Sequence, residues 1–91
     1  MASTQVLYTG HVQGVGFRYT VKQIAKGFDV TGSIQNLPDG RVDLRVSGEP
    51  REVAAFLETI GTSELRAHIK EQIETPLAEP PAARGFEIRH D

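Results

Sequence analysis

Across Gly10-His-Val-Gln-Gly-Val-Gly-Phe-Arg18 the hydrophobic period of the chain changes from a strand's to a helix's, and this switch restricts the folds open to it more than any other feature. Before the bend, Val6, Tyr8 and Val12 share one parity against Gln5, Thr9 and His11, so residues 5–12 read as a half-buried strand. After it, Phe17, Val21, Ile24, Ala25 and Phe28 fall on one face of a helix that Gly27 is expected to end. A strand that turns directly into a helix must lay that helix back over its own sheet.

The rest of the chain completes the pattern. Val30, Gly32 and Ile34 alternate as a second strand and Val42, Leu44 and Val46 as a third, joined by Leu37-Pro-Asp-Gly40, which is antiparallel hairpin chemistry. Gly48-Glu-Pro50 opens a second helix with Val53, Phe56, Leu57 and Ile60 on one face and Gly61 as its expected stop. Ala67, Ile69 and Ile73 make a weaker fourth strand, and Phe86 and Ile88 a short last one after the Pro-rich segment Thr75–Pro81. The expected fold is an α+β, ferredoxin-like βαββαβ sandwich. It has two helices on one face of an antiparallel sheet, the other face in water, and a short extra C-terminal strand.

Composition narrows the classes. The 91 residues suffice for one domain, residues 1–91, without staples, and 38% hydrophobic with 24% charged residues is globular. A net charge of -2 offers no field for nucleic acid. The N-terminal Met1–Gln5 is no secretory signal and no run is long enough to span a membrane, so a cytoplasmic protein is expected. The absence of Cys removes thiol catalysis and Cys-based metal sites. His11, His68 and His90 are scattered without ligand spacing, so neither a metal nor another cofactor is expected. Glu49 with Glu52 and Glu71 with Glu74 read as solvated faces rather than acid/base pairs.

The chemistry concentrates in the bend. Gly14 and Gly16 let consecutive N–H groups turn toward one point, and the first helical turn adds more donors with a partial positive charge. Arg18 opposes that dipole, and a bound phosphate would reconcile the two. The plainer reading is a tight connection followed by a solvated arginine. It is neither a Walker loop nor a dinucleotide fingerprint, since Gly-Lys-Ser/Thr is missing and Tyr19 stands where a third glycine belongs. Asn36 reads by itself as a cap on the Leu37–Gly40 turn. Phe17 and Tyr19 read as packing residues and His11 as a surface residue at the strand end.

Gly10-x-Val-Gln-Gly-Val-Gly-Phe-Arg18, with Gly32-x-x-x-Asn36-x-x-x-Gly40-x-Val42 and Gly48, resembles the two signature segments of the acylphosphatase family. The resemblance extends in length and element order over nearly the whole chain. It implies a hydrolase acting on the acid anhydride of acyl phosphates, giving carboxylate and inorganic phosphate without a metal. It further implies a phosphate cradle from Gln13, Gly14, Val15, Gly16, Phe17 and Arg18, with Arg18 holding charge and Asn36 positioning water. A free-standing monomer is expected, rather than the related domain inside larger hydrogenase-maturation proteins.

The chemistry agrees, because the carboxylate leaving group, of pKa roughly 4, needs no general acid. Charge and orientation remain, the work of amide donors and a forked guanidinium. Ser33 replaces a frequent aromatic and bears on the acyl side of the substrate, Tyr8 replaces a usual aliphatic, and the junction at Gly61–Glu64 leaves the register of residues 61–74 open. The alternatives are a non-catalytic phosphate- or ligand-binding module and an RNA-recognition domain. The latter would need aromatics on the open sheet face, where Gln5, Leu7, Thr9, Asp43, Arg45 and Ser47 stand instead.

Overall fold

The computed structural model describes residues 1–90. The chain runs β1 (Ala2–Gly10), α1 (Phe17–Ala25), β2 (Val30–Asn36), β3 (Val42–Gly48), α2 (Pro50–Thr62), a 3₁₀ turn (Glu64–His68), β4 (Ile69–Pro76) and β5 (Phe86–Arg89). The sheet order is β4-β1-β3-β2-β5. β1, β2, β3 and β4 pair antiparallel, whereas β5 joins β2 in parallel, so the sheet is mixed at one edge.

Alternation in the strands turns Val6, Tyr8, Ile34, Leu44 and Val46 to one face, where Phe17, Val21, Val53, Phe56 and Ile60 of the helices cover them. Phe86 of β5 reaches the same core and meets Phe56 with ring centroids 5.7 Å apart. At Gly32 a Cβ would collide with the Arg45 carbonyl, so glycine lets β2 and β3 approach there.

Several boundaries differ from the sequence expectation. β1 begins at Ala2 and ends at Gly10, whose φ of 136° and a register shift against β4 break the ladder; Val12 is buried but lies in the following loop. α1 stops at Ala25, before Gly27, with the Gly27 N–H donating to Ile24 O (3.0 Å) in a tightened last turn. α2 passes through Gly61 and is stopped by Ser63, which is extended and whose hydroxyl donates to Ile60 O at 2.7 Å and accepts from the Leu65 N–H at 3.2 Å. The 3₁₀ turn that follows takes Ala67 out of the fourth strand. Ile73 lies opposite Leu7 on the open face and is 49% exposed.

The open face is not all in water. Residues 77–82 of the Pro-rich segment roof a cavity of about 620 Å³ over Ser33, Gln35, Asp43 and Arg45. Leu77 N–H donates to Ser3 O (2.9 Å) and Arg89 Nη2 to Ala82 O (2.7 Å), which hold the roof down. Asp43, 5% exposed, is satisfied there by Gln5 and Arg45.

Candidate active site

The bend between β1 and α1 is built by glycines in the left-handed region, Gly14 at φ 79° and Gly16 at φ 76°. That region is costly to other residues, and no atom lies within 4 Å of where a Cβ would stand on either glycine. Gly16 is the N-cap of α1 and supplies no side-chain acceptor, and no acidic residue stands in the first turn. The first N–H groups of the helix therefore keep their hydrogen-bonding capacity and their share of the positive dipole end.

Gly14, Gly16, Phe17, Arg18 and Asn36 line a single cavity of about 230 Å³. Arg18, half-buried, is steadied by donating from Nη1 to the Arg89 carbonyl at 3.1 Å. Asn36 ends β2, opposite Val42, and its Oδ1 is buried with no hydrogen-bond partner among the described residues. A buried amide oxygen without a partner is costly to the fold.

The other two residues of the expected cradle are disposed differently. The Gln13 side chain turns to the β2–β3 hairpin, where Nε2 donates to Leu37 O at 2.8 Å and Arg41 O at 3.0 Å. Val15 packs against the rim of the core. Neither side chain lines the cavity, and both residues serve the loop that carries it.

The remaining wall consists of Val12, Tyr19, Ile88 and His90. The expectation that Tyr19 packs in the core is overturned: it is 64% exposed. At 100° per residue it sits about 200° round the helix from Phe17. Its place off the apolar stripe was the signal available in the sequence; nothing there pointed to Ile88 or His90, which depend on where β5 docks. Ser33 does not line this cavity; it stands in the row with Arg45 and Glu87 on the opposite side of the sheet. His11 is exposed and outside the cavity, its ring 6.2 Å from that of His68.

Beneath the site, Tyr8 and Phe17 meet with ring centroids 5.2 Å apart. The Tyr8 hydroxyl is buried and without a partner among the described residues. Burial, and to a lesser extent the charge of Glu74, push its ionisation well above the ordinary phenol range.

Comparison with known proteins bears on the family. The family model described as "Acylphosphatase" matches residues 4–88. An acylphosphatase of Lacticaseibacillus paracasei is 38% identical over 92% of this chain and 91% of its own. One of Methanospirillum hungatei is 34% identical over the full length of both. The crystal structure of acylphosphatase from Bacillus subtilis superposes with a TM-score of 0.87 at 27% identity, covering 98% of this chain and 99% of that one. A match that takes in both the glycine bend and the Asn36 strand, and runs on through β5, makes the chain a member of the acylphosphatase family.

Proposed function

We propose that the protein hydrolyses the carboxyl–phosphate bond of acyl phosphates, with the amides of the Gly14–Arg18 loop and the Arg18 guanidinium holding the phosphate and Asn36 orienting the attacking water. The observation that carries this reading is the convergence of two left-handed glycines, a helix N-terminus, Arg18 and Asn36 on one small cavity.

In the reaction a water oxygen forms a bond to phosphorus while the bond from phosphorus to the acyl oxygen breaks. The electron pair of that bond leaves on a carboxylate that is stable at neutral pH. The Asn36 side-chain amide hydrogen-bonds the water and aims its lone pair; one water hydrogen stays on the new P–O–H group and the other proton passes to another phosphate oxygen. N–H donors fixed before the reaction stabilise the equatorial oxygens without reorganising. Arg18, braced by the Arg89 carbonyl, supplies charge in a defined direction. The proposal includes a monomeric, cytoplasmic enzyme, to be checked by light scattering and cell fractionation.

The test is hydrolysis of benzoyl phosphate by wild type, Arg18→Ala and Asn36→Ala, with and without EDTA. EDTA is expected to leave turnover intact, because guanidinium and amides meet the phosphate charge. Arg18→Ala is expected to lose phosphate affinity and turnover together. Asn36→Ala is expected to lose roughly 10²-fold in kcat with phosphate affinity kept. A folded wild type that binds phosphate without turnover would identify a phosphate-binding module instead.

A further inference from the structure

An acyl phosphate has two ends, and the donors above account for only one. Once phosphorus is fixed beside Arg18 and the Gly14–Gly16 bend, the acyl carbon stands two bonds away. The acyl group must therefore lie along the wall of the same cavity or project into solvent.

At about 230 Å³ the cavity falls below the roughly 300 Å³ at which drug-sized pockets begin, so a phosphate and one compact group fill it. Val12 and Phe17 are buried and form its floor. The apolar side wall open to a ligand is the Tyr19 ring with half-buried Ile88 beside it and exposed His90 at the rim. Ser33, whose replacement of a frequent aromatic left the acyl-side contact open, faces the opposite side of the sheet.

Single exposed aromatics are ordinary on protein surfaces. Tyr19 differs in sharing a cavity wall with Arg18 and Asn36, while the core contacts of its helix are made by Phe17, Val21 and Ala25.

We infer that Tyr19 is the acyl-side specificity residue, its ring and Ile88 forming an apolar platform that favours acyl phosphates with an aromatic or bulky apolar acyl group over acetyl phosphate. The inference rests on the proposed phosphate site. A ring-to-ring contact that becomes shielded on binding is worth a factor of several to about tenfold in an equilibrium constant. The platform acts on substrate and transition state alike, so it enters KM rather than kcat.

The experiment compares kcat and KM for benzoyl phosphate and acetyl phosphate in wild type, Tyr19→Phe and Tyr19→Ala, with competitive inhibition by inorganic phosphate in each. Alanine is the best helix former and the position is exposed, so the variant is expected to fold; its circular dichroism melt checks this. Tyr19→Ala should raise KM for benzoyl phosphate by about 5- to 10-fold and shift acetyl phosphate much less, while Tyr19→Phe keeps the wild-type ratio. An unchanged benzoyl-to-acetyl ratio in Tyr19→Ala overturns the inference. So does an equal loss for both substrates accompanied by weaker phosphate inhibition, which would put Tyr19 at the phosphate. A wild type that turns over neither substrate overturns the hydrolase reading and this inference with it, whereas turnover with an unmoved ratio leaves the hydrolase reading standing.

Discussion

Asn36 offers the sharpest test at the scale of one residue, because a near-isosteric change at its side chain reverses the electrostatics of the site. Asn36→Asp keeps an oxygen where Oδ1 now lies buried but adds a negative charge to the cavity that Arg18 shares. Like charges a few ångströms apart repel by enough to weaken a phosphate dianion ~10-fold or more. Competitive inhibition by inorganic phosphate at pH 7 should weaken accordingly in Asn36→Asp. The deficit relative to wild type, which shares phosphate's own titration, should close as pH falls below the usual carboxyl value of roughly 4, where the new group becomes neutral. Asn36→Ala should hold phosphate as wild type does. Inhibition that is equal in all three proteins would mean that this side chain does not face the anion. Arg18 stands out in the sequence because a cation at the positive end of a helix sits oddly with local structure, whereas Asn36 reads by itself as a turn cap and is singled out only by the family resemblance. Tyr19 does not stand out. The stripe of Phe17, Val21 and Ala25 says which residues face the sheet, but not which of the others meet a cavity closed by β5 far along the chain.

Between elements, the Gln13 side chain clips the β1–α1 loop to both ends of the β2–β3 turn. The hairpin is already rigid, with the Arg41 N–H bonded to Asp39 Oδ1 at 3.0 Å and its Nε to Oδ2 at 2.7 Å. That backbone bond first, and the Arg41 side chain with it, hold the Asp39 carboxyl below its ordinary range. Gln13 therefore ties the proposed phosphate cradle to the hairpin that carries Asn36. Its loss should misplace water relative to phosphate for every substrate. Gln13→Ala is expected to lower kcat for benzoyl and acetyl phosphate by the same factor, about 10-fold, and to cost about 1 kcal/mol of stability in urea unfolding. A loss confined to one substrate would count against the clip. This role was invisible in the sequence because the two acceptors lie 24 and 28 residues downstream and are backbone carbonyls that any residue could supply. The helix stop was misread for a related reason. Gly61 merely permits a reversal, whereas the Ser63 hydroxyl takes up the Ile60 carbonyl and so ends α2 two residues later.

Over the whole molecule, the two-layer arrangement was legible because periodicity reports which face each element buries. The parallel docking of β5 and the roof over the open face were not, since both are settled by contacts between distant segments: Gly32 N–H to Gly85 O at 2.9 Å, and Arg89 to Ala82. On the helix-covered face, Tyr8, 0% exposed, packs against Phe17 of α1 with its hydroxyl without a partner among the described residues. A buried, unsatisfied hydroxyl costs about 1–3 kcal/mol, so Tyr8→Phe should stabilise the fold by about 1 kcal/mol near neutral pH. The pH dependence has a definite sign. The folded-state ionisation of Tyr8 is raised, by burial first and by Glu74 second. Below the ordinary phenol value of about 10, both folded and unfolded chains keep the proton and stability is flat with respect to this group. Above it the unfolded chain loses the proton while the folded one retains it. Stability then falls by about 1.4 kcal/mol per pH unit until the folded-state value is reached. Urea unfolding followed by circular dichroism from pH 8 to 11 should therefore show the gap between Tyr8→Phe and wild type constant up to about pH 10 and widening above it. A gap that stays constant throughout would mean that the Tyr8 hydroxyl reaches solvent or a partner in solution, and that the sheet beneath the site is looser than its packing implies.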